Sequence, residues 1–176
     1  MITVFVDLDG ALVEERRGRY GPEYLLRPGV AEGLTRLRMA ADRVVVLAEE
    51  LPARPGVHFA SDPRLDLLRA ELGVDYEVLA VVRCPHRTSQ RCDCAKPGTG
   101  LIDAAARKLR LRSVEGWHIG GDQEGVQAGR SAGLQTIRIG PAGDDHLSAV
   151  HRPDHDARDL LDAANRVLLQ VTQGVA

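Results

Sequence analysis

Apolar positions fall in short runs separated by polar stretches rich in glycine and proline. Ile2, Val4, Phe5 and Val6 open the chain as a strand that runs directly into Asp7 and Asp9, before Gly10 breaks it. Residues 11–27 are polar, carry Arg16, Arg17, Arg19, Gly18, Gly21 and Pro22, and read as a solvated loop beside the carboxylates, the alternative being that its arginines meet an anionic substrate. From Pro28 to Ala40 a helix is predicted, with Pro28 in its first turn and a stripe at Val30, Leu34, Leu37 and Ala41. Arg43 to Ala48 is continuously apolar, the mark of a strand buried on both faces, with residues 49–56 as its exit loop. Ser61 to Gly73 carries both kinds of helix punctuation: Ser61 or Asp62 as N-cap, Pro63 in the first turn, Gly73 as the stop. Further strands are expected at Tyr76–Val82, Trp117–Gly121 and Thr136–Ile139. Helices are expected at Gly98–Arg110, Glu124–Ala132 and Asp156–Val171, with loops at 83–97 and 140–155.

This alternation of strand and helix predicts an α/β, Rossmann-like fold. A central parallel sheet of about five strands carries helices on both faces, in a single domain over residues 1–176. Residues 141–176 add a C-terminal loop and helix. In such sheets the site lies beyond the carboxyl ends of the strands. Asp7 with Asp9, Ala48 with Glu49, the 83–97 loop, and Gly121 with Asp122 all fall at such ends. Asp7 and Asp9 are two residues apart and so point the same way. Two like charges there are costly unless a cation, usually a metal, lies between them; the plainer alternative is a strand followed by an Asx turn.

Composition narrows the function classes. The 176 residues carry a formal charge of −2, which gives no electrostatic argument for nucleic acid or an anionic membrane. At 3 % aromatics there is no base-stacking platform. No apolar run approaches a membrane span and the start lacks a basic segment, so a cytoplasmic protein is expected. The three cysteines are an odd number and lie within eleven residues, which argues against a disulfide framework. Cys84, His86, Cys92 and Cys94 have the form C-x-H-x5-C-x-C, enough for a closed, structural Cys3His zinc site. The alternative is a reduced-thiol loop with an incidental histidine. Lys96, two residues beyond Cys94, can reach anionic groups near Asp7, or is an ordinary surface lysine. His151 and His155 with Asp154 and Asp156 could bind metal, but a solvated linker is the simpler reading of that stretch.

Asp7-Leu-Asp9-Gly10 resembles the first motif of the haloacid-dehalogenase-like (HAD) phosphohydrolases. Leu26-Arg-Pro-Gly-Val30 with its helix is similar to the segment that follows in the subfamily III phosphatases. The Cys84 to Pro97 stretch resembles the zinc loop of D-glycero-D-manno-heptose-1,7-bisphosphate and histidinol-phosphate phosphatases. Val126 to Gly140 looks like the helix and strand after the fourth motif, so the likeness covers roughly residues 2–140. It implies Asp7 as nucleophile, Asp9 as acid and base, and Lys96 as charge balance on the phosphoryl oxygens. Mg²⁺ would sit on the Asp7 carboxylate, the Asp9 carbonyl and Asp122. It further implies no large cap domain and a small phosphorylated sugar or alcohol as substrate.

The chain departs from that pattern at three places. Ala48 and Glu49 stand where the family has Thr or Ser, commonly followed by Asn. Losing one such donor costs roughly 3 kcal/mol, or about 10²–10³ in rate. A close Glu49 would add repulsion unless it turns away or pairs with Arg54. Ala95 stands where these phosphatases usually carry a substrate-binding Arg. The two acids of the fourth motif fall at Gly121 and Gly125 in one register, and at Asp122 and Val126 in the other, with Glu124 a weak substitute. Magnesium affinity should be lowered accordingly. Two readings follow: a HAD-type phosphatase, weakened or retuned, or a catalytically degenerate relative that keeps the zinc-stapled fold as a binding or regulatory module with a protein partner.

Overall fold

The protein is described by a computed structural model covering residues 1–49, 51, 61–73, 79–84, 86, 92–111, 115–140 and 152–174. A six-stranded, wholly parallel sheet runs β5-β4-β1-β6-β7-β8. Its strands are β1 (Thr3–Asp7), β4 (Arg43–Ala48), β5 (Ala80–Arg83), β6 (Gly116–Gly120), β7 (Gln135–Ile139) and β8 (His155–Ala157). One face carries α1 (Val30–Ala40), α2 (Pro63–Leu72) and α5 (Leu160–Thr172), and the other carries α3 (Gly100–Lys108) and α4 (Gln123–Ser131). Pleating sorts the central strands between the two cores. Val4, Val6, Val44, Val46, Trp117 and Ile119 pack with Leu37, Leu68, Leu160 and Val167, while Phe5, Val45, Leu47 and Val82 pack with Leu101, Ile102 and Ala128. Central strands buried on both faces explain the uninterrupted apolar runs.

Strand β1 lies between β4 and β6, where the winding of the sheet reverses. That is where an open α/β sheet forms its crevice. The exit loops of β1 and β6 meet closely. A Cβ on Gly121 would stand 2.5 Å from the backbone carbonyl of Gly10, so a glycine is needed there. Gly10 itself has φ +78°.

Residues 11–27 are not a loop. They form an antiparallel hairpin of β2 (Val13–Arg17) and β3 (Pro22–Leu26), closed by the Gly18 N–H donating to the Gly21 carbonyl at 2.9 Å. Most of its side chains face water, so its polar composition hid the strands. Val13 is buried, and Tyr24 and Leu26 pack against the core. The hairpin is the only structure inserted after Asp9 among the described residues. The helix after it starts at Val30, with Pro28 just outside.

The 140–155 segment and the closing helix also need correction. His155–Ala157 pairs in parallel with β7 as a sixth strand, and α5 begins at Leu160, capped by Asp159, whose side chain accepts from the Asp162 N–H. The acids expected in a linker or a metal cluster instead hold the sheet edge. Asp154 accepts from the Thr136 N–H at 2.7 Å and hydroxyl at 2.8 Å and pairs with Arg130, while Asp156 pairs with Arg138. His155 stacks on Trp117 with ring centroids 5.9 Å apart. His151, most of residues 140–151, the 52–56 part of the exit loop and the 76–78 start of the third strand lie outside the described residues.

Burial pushes the Asp154 carboxyl up, but the Thr136 hydrogen bonds and Arg130 more than offset it and leave it below the ordinary 3.8. Its contribution to stability is therefore present above 3.8 and lost as pH falls through the lower folded value. Asp154→Asn is expected to flatten the acid limb of stability, read as urea midpoints from neutral pH down to about pH 2.5. An acid limb identical to wild type would show that this carboxylate does not act at the edge.

Candidate active site

Four chain segments converge at the carboxyl end of the sheet. Asp7 is the last residue of β1 and is buried. Its Oδ2 accepts from the Lys96 ammonium at 3.2 Å, and its Oδ1 lies 3.0 Å from Nε2 of His118 on β6. Lys96 Nζ also stands 2.8 Å from Asp122 Oδ2 and 3.7 Å from Glu49 Oε2. One ammonium thus holds carboxylates from the ends of β1, β4 and β6. Burial works against the charge on Lys96, but Asp7, Asp122 and Glu49 outweigh it and hold the ammonium firmly protonated. Burial likewise raises Asp7, but His118 and then Lys96 more than offset this, leaving its carboxyl below the usual range.

Asp122 is the N-cap of α4, its Oδ1 accepting from the Gly125 N–H at 2.7 Å, which leaves Oδ2 for Lys96. Of the positions that the two registers offer, Asp122 is the one that reaches Lys96 and the surroundings of Asp7. Val126 is wholly buried in the core and Glu124 is exposed on the first turn of α4.

Glu49 neither turns away nor needs Arg54, which lies outside the described residues. It takes the Lys96 backbone N–H on Oε1 at 2.8 Å and shares the ammonium through Oε2. Ala48 is buried in the larger core and offers no hydroxyl.

Arg64, at the start of α2, is almost fully buried. It donates to both oxygens of the equally buried Asp62, to the Glu49 carbonyl at 2.7 Å and to Asp9 Oδ2. Burial pushes the Asp9 carboxyl up, and Arg64 and Lys96 offset this only in part, so it stays above the ordinary value. For Asp62 burial also raises the carboxyl, but the Arg64 bonds win and hold it low.

The cysteine loop brings Cys84, His86, Cys92 and Cys94 together, with one ligand atom from each lying within 4.8 Å of all the others. Cys84 Sγ is 3.5 Å from both Cys92 Sγ and His86 Nδ1, and Cys94 Sγ is 3.6 Å from that nitrogen. A tetrahedron with ligands about 2.0–2.3 Å from its centre has edges of about 3.3–3.8 Å, so this donor set fits zinc. Residues 85 and 87–91 of the loop lie outside the described residues.

His118 and Arg64 were not singled out from the sequence. For His118 a signal existed, because a histidine inside a doubly buried strand must find a polar partner. For Arg64 no local signal exists, because an arginine in a first helical turn is ordinarily exposed.

No family model matches the chain. The D-glycero-beta-D-manno-heptose-1,7-bisphosphate 7-phosphatase of Pseudomonas putida is 28 % identical over 122 residues, covering 66 % of this chain and 69 % of that protein. The D-glycero-alpha-D-manno-heptose-1,7-bisphosphate 7-phosphatase of Mycobacterium tuberculosis is 33 % identical over 107 residues, 56 % of this chain and 55 % of its own, so the match spans about half of that relative. The structure of a D,D-heptose 1.7-bisphosphate phosphatase from B. bronchiseptica, complexed with magnesium and phosphate, superposes with a TM-score of 0.74. It is 20 % identical, with coverage of 97 % of this chain and 99 % of that one. The chain is similar in sequence to these phosphatases and has the HAD phosphatase fold. The alternative of a non-catalytic module finds no support among these relatives. Within this HAD fold no helix among the described residues is long and apolar enough to cross a membrane.

Arg64 yields a stability test. Arg64→Met would leave the Asp62 carboxylate buried without its main partner, at a cost of about 3–5 kcal/mol. Urea unfolding of the single variant should show that loss, and Asp62→Asn added to Arg64→Met should recover part of it. Equal stability of all three proteins would remove Arg64 from the frame of the site.

Proposed function

We propose that the protein is a Mg²⁺-dependent phosphomonoester hydrolase that works through an aspartyl-phosphate on Asp7, with a small phosphorylated sugar or alcohol as substrate. The observation that carries this reading is the buried, ionised Asp7 carboxylate, whose Oδ2 converges with Asp122 Oδ2 on a single cationic centre. Around it Asp7, Asp9, Glu49, Asp62 and Asp122 face the inward cations Lys96 and Arg64, so an arriving phosphate meets net negative charge. Such a site asks for a further cation.

Asp7, Asp122 and the Asp9 carbonyl are hard oxygen donors and fit Mg²⁺, held by two carboxylates and one backbone oxygen. Bound there it supplies positive charge against the phosphoryl oxygens. The protein's own groups do the rest. An Asp7 oxygen attacks phosphorus as the ester P–O bond breaks, and Asp9 gives its proton to the departing alkoxide. The raised Asp9 carboxyl suits that donation. Asp9 then takes a proton from the water that attacks phosphorus, and the bond to Asp7 breaks to release inorganic phosphate. Lys96 balances charge on the phosphoryl oxygens throughout.

The relatives named as heptose-bisphosphate phosphatases favour a phosphorylated sugar. Ala95 removes the family's arginine from that side of the site, which favours a substrate gripped mainly through its phosphate. The Cys3His group holds zinc and thereby orders the loop that carries Lys96.

Two measurements test the reading. Beryllofluoride imitates a phosphoryl group on an aspartate and needs no guess at the substrate. With Mg²⁺ and beryllofluoride at about 100 times Kd, wild type gains about 2.7 kcal/mol, or roughly 5–10 °C in melting temperature, and Asp7→Asn gains nothing. No rise in wild type would sink the phosphoryl-transfer site. Metal analysis of the purified protein should find about one zinc per chain. Zinc-free protein with three freely titratable thiols would sink the staple.

A further inference from the structure

We propose that His118 is a positioning residue for Asp7, fixing the rotation of its carboxylate so that one oxygen is committed to the protein and the other faces the reacting group. This rests on the phosphatase reading above. In the β1–β6 register His118 is opposite Phe5, so its side chain shares the Asp7 face of the sheet and stands one step behind it on the neighbouring strand. The ring is fully buried, and its Nε2 lies 3.0 Å from Asp7 Oδ1; an ionised carboxylate only accepts, so Nε2 is the nitrogen that carries the proton. Its Nδ1 is buried without a hydrogen-bond partner among the described residues. An apolar residue would fill this core position without leaving such an orphan, so the hydrogen bond to Asp7 is what the histidine contributes.

Three glycines keep that space open. A Cβ on Gly129 would lie 2.7 Å from the His118 Cβ. One on Gly120 would lie 2.9 Å from Asp7 Oδ2 and 3.2 Å from His118 Cε1. One on Gly125 would lie 2.7 Å from the same oxygen and 3.3 Å from the same carbon. Gly125 is also where one register of the fourth motif would place an acid. The imidazole and the Asp7 carboxylate that it holds fill the volume that any side chain at Gly125 would need.

The geometric consequence is division of the two Asp7 oxygens. Oδ1 is tied inward to β6, and Oδ2 is turned to Lys96 and so to Asp122. Without the Nε2 contact nothing ties Oδ1 to β6, the carboxylate is free to turn about its Cβ–Cγ bond, and the attacking oxygen loses its alignment. Misplacement of that kind costs turnover by about 10–10²-fold and leaves substrate binding almost unchanged.

The test compares wild type, His118→Leu and His118→Gln in Mg²⁺-dependent hydrolysis of p-nitrophenyl phosphate and in the beryllofluoride midpoint shift. The glutamine amide places an N–H near the position of Nε2. His118→Leu is expected to lose about 10–10² in kcat with KM within about twofold, and to lose most of the midpoint shift, while His118→Gln restores both. Wild-type kcat in His118→Leu, or equal losses in both variants, would overturn the positioning role. Nitrogen-15 NMR of the unmutated protein gives a readout that needs no variant to fold: an exchange-protected proton on His118 Nε2. A ring protonated only on Nδ1 would overturn it as well. Failure of the phosphatase reading is told apart in the unmutated protein, because wild type would then show neither turnover nor a midpoint shift, and the inference would fall with it.

Discussion

The site depends on one constraint: several carboxylates must be held together at the end of a parallel sheet. Strand order puts β4, β1 and β6 side by side, and each delivers an acid at or just beyond its carboxyl end. Unpaired, these charges would repel one another in a poorly hydrated crevice. Lys96 answers that with one ammonium in contact with Asp7, Asp122 and Glu49. Arg64 answers it from the other side, where its planar fork suits simultaneous bonds to Asp62, Asp9 and the Glu49 carbonyl. The two cations divide the acids between them, and Glu49 belongs to both networks, through its carboxylate and its carbonyl.

That division bears on the missing hydroxyl at Ala48. The resemblance implies a Thr or Ser donor to the phosphoryl group at this strand end. Here the same strand end is occupied otherwise: Ala48 closes the core and Glu49 caps the Lys96 backbone N–H. A carboxylate beside a phosphate site is then less repulsive than its charge suggests, because its neutralising partner is already in place. Its effect is competition. Under the proposed chemistry an arriving phosphoryl dianion must draw the Lys96 ammonium partly away from Glu49, which weakens ground-state binding before it touches the chemical step.

Much of the fold was legible because its central strands are buried on both faces and its helices carry strong punctuation. Arg43–Ala48 needed no correction at all, and Asp7 at the end of β1 followed from the apolar run that precedes it. The cysteine group was legible because its ligands are close in sequence. The hairpin at 13–26 was not, since a two-stranded flap with one lightly buried face has the composition of a loop. Strand β8 was hidden similarly: three residues at a sheet edge, with one acid before them and one among them whose partners Thr136, Arg130 and Arg138 lie on β7 and α4. His118 and Arg64 act on Asp7 and Asp9 from 111 and 55 residues away in the chain, a relation that no local pattern carries.

The fourth motif shows how loss of a familiar residue differs from loss of its position. By sequence the motif has one acid where two are usual. In the folded chain the surviving acid, Asp122, does two things at once: one oxygen caps α4 and the other reaches the lysine that touches Asp7. The cap fixes the side chain against the helix N-terminus. A single acid, oriented by its own helix, can thus stay at the site with no neighbour to brace it. In the Asp122 register the second position is Val126, whose apolar side chain is wholly buried, while imidazole and the Asp7 carboxylate fill the space beside Gly125. Asp7 is braced from within β6, by His118, and not from the helix that follows that strand.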